Sequence, residues 1–431
     1  MAGQLRARKL RAEELGTDAQ DHRGRMRVAV TGLGVKTAAG TELDGFWSTL
    51  ASGRSTAAPI ARYDPSDLPV RFGCEVRDFD PAAYLGAKES RRIDRVTQLG
   101  FAAAADALAD AGDHRCDPAR SAVIVGTGVG GLITLEEQIG VYIEKGAARV
   151  SPFLVPMMMA NATAGTIAMQ FGWKGPNFCV ATACAASANA VGEAARLIRD
   201  GSADIVMTGG SESCLTPTAI SAFARMTALS TRNDDPEHAS RPFDADRDGF
   251  VMGEGGAALV LERWDHATVR GAHIYGEVVG YGRNADAYHI TAPSPGGEGA
   301  AACMQLALDD AGLSPAAIGH VNAHGTSTPL NDAAEAEAIR KVFGETPPPV
   351  TSTKGVTGHL IGAAGATEAI ACLLTFANGA APPTANLERL GDDIALDVIA
   401  GVVRELAPAP ALSNSFGFGG HNATLVLAPP S

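Results

Sequence analysis

Short runs of β-branched residues alternate with longer alanine- and leucine-rich stretches along this chain of 431 residues. The short runs are typical of buried strands, and the longer ones are typical of helices. In the first part of the chain, strands are predicted over residues 27–31, 121–125, 204–208 and 257–261. Residues 96–111 carry apolar side chains at close to the helical period, so a helix is predicted there.

The same rhythm begins again near residue 272. The second series comprises a strand, a helix, a strand and a helix, predicted over residues 273–281, 299–311, 318–323 and 332–343. Strands that alternate with helices predict an α/β fold in which helices are layered around mixed sheets. Two such series predict two similar halves, over residues 26–265 and 266–431, preceded by a flexible polar extension over residues 1–25.

The composition indicates what kind of interior these elements build. Glycine contributes 50 of the 431 residues, about 12% against a usual value near 7%. Because 46% of the residues are hydrophobic and 19% are charged, a disordered or collagen-like chain is excluded. The glycines predict a large core with tight turns and close backbone approaches. The net charge of −13 gives no overall attraction to nucleic acids or anionic membranes.

Cysteine usage and hydropathy point to a reducing compartment. The seven cysteines are scattered without a CxxC pair, so neither disulfides nor a zinc site is predicted. No apolar segment follows the basic N-terminal residues, so no signal peptide is predicted and the cytoplasm is the expected location. Residues 151–173 carry no charge but contain prolines and polar side chains. They are predicted to form a buried helix or a subunit interface rather than a membrane span.

Cys184 is the first candidate for chemistry. A strand is predicted to end near Ala183 and an amphipathic helix to follow, which places Cys184 at the N-terminus of that helix. The free amides and the helix dipole at such a position favour a thiolate and lower the pKa of the thiol. The alternative is a small buried cysteine without reactivity, which is the expected role of Cys179 inside the strand.

Two histidines make the reactive interpretation of Cys184 stronger. His324 and His359 both lie at glycine-rich joints, where side chains can point into a cleft. One cysteine with two such histidines is a plausible nucleophile with proton-handling partners. Lys354 and Glu368 either form a buried pair that biases the imidazoles or are unrelated surface charges.

Two glycine-rich segments complete the candidate site. Residues 414–422 read NSFGFGGHN, a hairpin of the kind that offers backbone N–H groups to an oxyanion. Residues 126–131 read GTGVGG, which formally matches a dinucleotide-binding turn. The acidic residue such a site requires is missing, because Glu144 lies in a polar, helix-like stretch. A tight turn is the favoured interpretation.

Taken together, these motifs resemble those of the β-ketoacyl synthases of the thiolase superfamily. The matching segments are GTGVGG (126–131), TACAAS (182–187), RPFDADRDGFVMGEG (241–255), HGTSTPLND (324–332), KGVTGHLIGAAG (354–365) and NSFGFGGHN (414–422). The resemblance implies a thiolase-like fold whose two halves form a five-layer αβαβα sandwich, as an obligate dimer. Two histidine partners place the chain beside elongating condensing enzymes of the synthase II type.

The resemblance also implies a role for each site residue. Cys184 would carry the acyl chain, and His324 and His359 would promote decarboxylation of a malonyl thioester. Lys354 and Glu368 would tune that site. The amides of Cys184 and Phe416 would form the oxyanion hole, with the Phe416 ring as a gate. The remaining positions would bind the phosphopantetheine arm (Thr326, Thr328) and the acyl chain (Val129, Leu154, Met157, Phe223). No cofactor or metal would be required, since the phosphopantetheine arrives on the acyl carrier protein (ACP).

The expected protein partners are acyl-ACP and malonyl-ACP, which are acidic. The basic cluster formed by Lys88, Arg91, Arg92 and Arg95 is therefore predicted to dock ACP, although an ordinary solvated helix face is the alternative.

Four identities remain open from the sequence. The first is an elongating, homodimeric synthase of fatty acid synthesis. The second is the catalytic subunit of a type II polyketide synthase, paired with a chain-length-factor subunit. A non-catalytic partner subunit is disfavoured by the intact Cys184, His324 and His359, and a thiolase by the absence of a second catalytic cysteine motif.

Overall fold

The computed structural model describes residues 19–114 and 116–430. The strands of this part of the chain are β1 (Val28–Thr37), β2 (Ala58–Pro59), β3 (Phe72–Gly73), β4 (Ser121–Gly126), β5 (Asn177–Val180), β6 (Ile205–Glu212), β7 (Gly255–Arg263), β8 (Gly276–Ala285), β9 (His320–Asn322), β10 (Val350–Thr351), β11 (Ala380–Ala381), β12 (Arg404–Glu405), β13 (Ala411–Gly417) and β14 (His421–Ala428). Its α-helices are α1 (Leu43–Ser52), α2 (Ala82–Ser90), α3 (Arg95–Ala111), α4 (Leu132–Lys145), α5 (Leu154–Met158), α6 (Ala162–Phe171), α7 (Ala186–Arg199), α8 (Pro217–Arg225), α9 (Trp264–Arg270), α10 (Glu298–Ala311), α11 (Pro329–Phe343), α12 (Lys354–Thr357) and α13 (Ala364–Asn378).

Two five-stranded sheets of identical topology make up the framework. The first has the order β5-β4-β6-β7-β1 and the second has the order β10-β9-β13-β14-β8. In each, two parallel pairings are followed by two antiparallel ones. The sheets are joined where β1 pairs with β8 through Ala29 and Val30. The predicted duplication is therefore present in the strand order, and the predicted boundary at 265/266 falls inside α9.

Helices form three layers around these sheets. Helices α3 and α6 pack on the outer side of the first sheet, and α10, with α11 against it, packs on the outer side of the second. Helices α7 and α13 contact each other and strands of both sheets, so they form the middle layer. The five-layer αβαβα fold predicted from the sequence is confirmed.

Glycine allows the outer helix α3 to lie directly on β1. Asp94 caps this helix by accepting a hydrogen bond from the Val96 amide. A Cβ atom at Gly34 would lie 2.1 Å from the Ala103 carbonyl oxygen, which no real side chain could tolerate. Close contact between helix and strand is thus one structural reason for the surplus of glycine.

The most apolar helical segment is a core element. Ile361–Asn378 is long and apolar enough to cross a membrane by composition, but 83% of it is buried inside the protein. It contains α13, which both sheets cover. A helix that is apolar on all sides is expected in such a middle layer.

The N-terminal segment differs from its prediction as a flexible extension. Residues 1–18 lie outside the described residues, but residues 19–25 form an ordered turn. Asp21 pairs with Arg25, and Arg25 also bonds to Asp310 at the end of α10 at 2.6 Å. The Arg27 amide donates to the carbonyl of Ala19. These ion pairs hold residues 19–25 against the C-terminal half of the chain. The local composition of the segment could not predict this contact, because Asp310 is distant in the sequence.

The contact between β1 and α3 gives a test of packing. Gly34→Ala should lower the free energy of unfolding by about 1–3 kcal/mol, because the added Cβ must displace the Ala103 carbonyl. Gly45→Ala, in α1, is the matched control, because nothing lies within 4 Å of a Cβ there and alanine favours helix. Thermal or denaturant unfolding measures both. Equal stability of the two variants would contradict the packing argument.

Candidate active site

Cys184 lies in a strained turn between β5 and α7. The chain leaves β5 at Val180 and makes a 3-10 turn over Ala183–Ala185 before the helix begins. Ala183 has a φ of 49°, in the left-handed region that L-residues rarely adopt. Only 7% of Cys184 is exposed.

The two histidines come from loops of the C-terminal half. His324 follows β9, and the Glu335 carboxylate of α11 fixes its loop by accepting hydrogen bonds from the amides of His324 and Gly325 at 2.8 and 2.7 Å. His359 follows α12, and its amide donates to the Val251 carbonyl at 2.7 Å. Both imidazoles are 2% exposed.

Cys184, His324 and His359 meet at one point. Their sulphur and ring nitrogen atoms lie within 4.8 Å of one another, and the two rings stand edge to face at 5.4 Å. Atoms of these types at this spacing could also hold a soft metal ion such as Zn²⁺. The structure therefore brings together the three side chains predicted to carry the chemistry.

Burial keeps both imidazoles neutral. Desolvation lowers the pKa of His324 and of His359 well below the ordinary value, and the charge of Lys354 lowers both further. Nδ1 of His359 accepts a hydrogen bond from the Ile361 amide at 3.3 Å, so the proton of this ring is on Nε2. Among the described residues, Nδ1 of His324 has no hydrogen-bond partner.

Burial has the opposite effect on the Cys184 thiol. Desolvation raises its pKa to about 12, although the Lys354 charge and a hydrogen bond from the Phe418 amide act in the other direction. The expectation that this pKa is lowered is wrong, because burial destabilises the thiolate. The Cys184 thiol is therefore protonated at neutral pH.

Lys354 and Glu368 form a buried ion pair behind His324. Nζ of Lys354 contacts Oε1 of Glu368, and both side chains are at most 3% exposed. The same ammonium donates to the His324 carbonyl at 2.5 Å. Desolvation raises the pKa of Glu368 to about 7, and the Lys354 charge opposes that rise. The pair therefore holds the His324 backbone in place.

A cavity of about 420 Å³ opens onto these residues. Of the positions predicted to bind substrate, Val129, Phe223, Thr326 and Thr328 line it, and the two threonine hydroxyls are 2.9 Å apart. Leu154 and Met157 are not among its described lining residues, because α5 packs against α4 and α6 instead.

The glycine hairpin contributes Phe418 as well as Phe416. Both line the cavity, and the Phe416 ring lies 5.9 Å from that of His324. The backbone amide that donates to the Cys184 sulphur is that of Phe418, two positions after the residue predicted for the oxyanion hole. The sequence offered one signal for this residue, because Phe418 is the second phenylalanine of the NSFGFGGHN segment.

Some side chains of the predicted docking cluster are exposed, and others form ion pairs within the protein. Lys88 and Arg91 are exposed, and Arg92 bonds to Glu89 at 3.1 Å. Arg95 instead binds the fully buried carboxylate of Glu254 at 2.8 Å. Arg62 pairs with the same carboxylate, so Arg95 belongs to a buried ion-pair cluster and its role in docking stays a prediction.

Family models and solved structures match nearly the whole chain. The model of the β-ketoacyl synthase N-terminal domain matches residues 25–267, and that of the C-terminal domain matches residues 275–388. A 3-oxoacyl-(acyl-carrier-protein) synthase 2 from Synechocystis sp. is 49% identical over 93% of this chain and 97% of the relative. The protein of the same name from Coxiella burnetii is 43% identical over 93% and 98%.

Two solved structures that contain ketosynthases have a similar fold. The ishigamide ketosynthase/chain length factor has a TM-score of 0.90 at 36% identity, and the match covers 94% of this chain and all of that one. A type II polyketide ketosynthase in complex with its acyl-carrier protein, AntDE:AntF, has a TM-score of 0.88 at 31% identity with the same coverage. With its site geometry and these matches, the chain belongs to the β-ketoacyl synthase family of condensing acyltransferases.

Proposed function

We propose that this chain is an elongating β-ketoacyl-ACP synthase of fatty acid synthesis, in which Cys184, His324 and His359 carry the reaction. The observation that supports these roles best is the meeting of one buried thiol and two buried imidazoles within 4.8 Å at a cavity of about 420 Å³. The relatives named 3-oxoacyl-(acyl-carrier-protein) synthase 2 favour ACP-bound substrates.

In the first half-reaction the Cys184 sulphur attacks the thioester carbonyl of acyl-ACP. The new S–C bond forms as the bond to the pantetheine sulphur breaks, and the thiol proton is transferred to that leaving sulphur. The amides of Cys184 and Phe418 are suited to stabilise the oxyanion of the tetrahedral intermediate. Thr326 and Thr328 at the cavity wall are suited to bind the arm.

In the second half-reaction a malonyl thioester loses CO₂. The C–C electron pair forms an enolate, whose carbon attacks the acyl-Cys184 carbonyl and expels the Cys184 thiolate, which takes up a proton from solvent to restore the thiol. His359 carries its proton on Nε2, so this ring can donate a hydrogen bond to the enolate oxygen. His324 is neutral beside it, and its backbone is held by Lys354 and Glu335. Loss of CO₂ drives the condensation, so no cofactor or metal is needed in this proposal.

A homodimer in the cytoplasm is the proposed state of the enzyme. Strand β5 ends the first sheet, and apolar side chains are exposed on it and on the adjoining α5 and α6. Examples are Phe178 (40% exposed), Val155 (57%) and Met169 (75%), a pattern that marks an interaction face.

Pairing with a chain-length-factor subunit is the second candidate, favoured by the likeness to the ishigamide ketosynthase/chain length factor.

The purified chain, expressed alone, should condense acyl-ACP with malonyl-ACP, and Cys184→Ala should abolish both condensation and acyl transfer from acyl-ACP. Intact-protein mass spectrometry detects the acyl-enzyme, and CO₂ release measures decarboxylation separately. Condensation that survives Cys184→Ala would contradict the assigned nucleophile. Activity that appears only after a second, homologous subunit is added would favour the polyketide alternative.

The raised pKa of Cys184 makes a separate prediction about thiol reactivity. Since the thiolate is the form that iodoacetamide alkylates, the rate of Cys184 alkylation should rise about tenfold per pH unit between about pH 7 and pH 10. Mass spectrometry of the peptide that contains Cys184 follows the rate. A plateau below about pH 9 would instead indicate a thiol with an ordinary or lowered pKa.

The exposed pair Lys88 and Arg91 is proposed to dock ACP. Reversing both charges to Glu should raise KM for acyl-ACP about tenfold, because ACP is acidic and encounter depends on complementary charge. Turnover of a small acyl-pantetheine thioester should change little. Arg54→Glu, at another exposed arginine, is the control for general charge effects. Equal losses on both substrates would contradict a docking role.

A further inference from the structure

The two turns that open the middle-layer helices are equivalent between the halves. One is Ala183–Ala185 before α7, and the other is a 3-10 turn over Ile361–Ala363 before α13. Each begins with a non-glycine residue in the left-handed region, Ala183 at φ 49° and Ile361 at φ 46°. For a β-branched residue this conformation is a genuine outlier that its surroundings must enforce.

Each turn is supported by the end of a strand from the opposite half. The Cys184 turn packs against β13, and the amide of Phe418, just past that strand, donates to the Cys184 sulphur. The Ile361 turn packs against β6, whose last residue is Glu212. Glu212, at the end of β6, therefore supports the Ile361 turn as the end of β13 supports the Cys184 turn.

The Glu212 carboxylate joins the Ile361 turn to the cavity wall. Its Oε2 accepts hydrogen bonds from the amides of Gly128 at 2.6 Å and Gly362 at 3.1 Å. Its Oε1 accepts one from the Thr127 hydroxyl at 3.2 Å. Glu212 is completely buried, and burial raises its pKa to about 7 against the effect of these donors. A carboxylate is suited to bridge two backbone segments that present only N–H donors.

Ile361 connects this carboxylate to the chemistry. Its side chain lines the cavity beside Val129, and its amide is the donor that keeps Nδ1 of His359 unprotonated. Losing the Gly362 contact would free the turn to relax from its left-handed conformation. The Ile361 amide would then leave His359, and the ring could adopt either tautomer.

We propose that Glu212 is a positioning residue of the condensation reaction, which holds the Ile361 turn so that His359 presents its Nε2 proton to the enolate oxygen. This inference rests on the proposed function. It assigns Glu212 to the decarboxylating half-reaction and not to acylation of Cys184, because its contacts lead to His359.

The test compares the two half-reactions in Glu212→Gln. Glutamine keeps the size of the side chain but has no charge and only one acceptor oxygen, so it binds the amides of Gly128 and Gly362 more weakly than a carboxylate does. Decarboxylation of malonyl-ACP should fall at least tenfold, whereas the rate of Cys184 acylation by acyl-ACP should change less than about threefold. Glu262→Gln is the matched control, since Glu262 is also buried but pairs with Arg270 on the outer side of the first sheet. It should lower the melting temperature without changing the ratio of the two rates.

A second variant separates positioning from general loss of structure. Glycine adopts the left-handed conformation without support, so adding Ile361→Gly to Glu212→Gln should restore decarboxylation at least several-fold over the single variant. In ¹⁵N-histidine spectra, His359 should show one tautomer in the unmodified protein and a mixture in Glu212→Gln.

The outcomes distinguish this inference from the proposed function. Equal losses in both half-reactions of Glu212→Gln, or no rescue by Ile361→Gly, would overturn the positioning role while leaving the function intact. Failure of the unmodified chain to form an acyl-enzyme would overturn the proposed function itself.

Discussion

The contact between the middle-layer helices α7 and α13 is the constraint on which the active site depends. Both sheets cover these helices, so their facing surfaces must be small and apolar. A Cβ atom at Gly365 would lie 2.7 Å from the backbone nitrogen of Ala188, so the N-terminal ends of the two helices are in direct contact. Because Cys184 lies in the turn that opens α7 and His359 lies just before the turn that opens α13, the same contact brings the thiol and the imidazole together. Duplication of one fold thus creates the site at the junction of its copies.

Burial then decides the protonation states at that junction. In a site with little water, desolvation keeps the Cys184 thiol protonated against the effect of the Lys354 charge. Desolvation and the Lys354 charge together favour the neutral form of both imidazoles. A close charged partner opposes the effect of burial, as the Lys354 charge does for the raised pKa of Glu368. Neutral hydrogen-bond donors that already point at the position of an oxyanion need little reorganisation during the reaction, which suits a condensation that proceeds through an enolate.

Much of the site could be predicted from the sequence because its residues lie at strand ends and glycine-rich joints. Cys184, His324, His359, Lys354 and four of the six predicted binding positions lie together at or behind the cavity. Leu154 and Met157 lie elsewhere, and Arg95 is bound to Glu254. Glu212 carried no local signal, since a single acidic residue at the end of a strand resembles any other.

The sequence by itself determined the duplicated α/β fold and the set of reactive side chains, since periodicity and turn residues are local properties of the chain. Only the tertiary structure decided the pKa of Cys184, the pairing of Arg95 with Glu254, and which backbone amide donates to the Cys184 sulphur. These depend on desolvation and on partners far along the chain. Arg95 and Glu254 are 159 residues apart, and Glu212 and Gly362 are 150 apart. The electrostatic environment of a buried group depends on the residues packed around it, so it is set only in the folded protein.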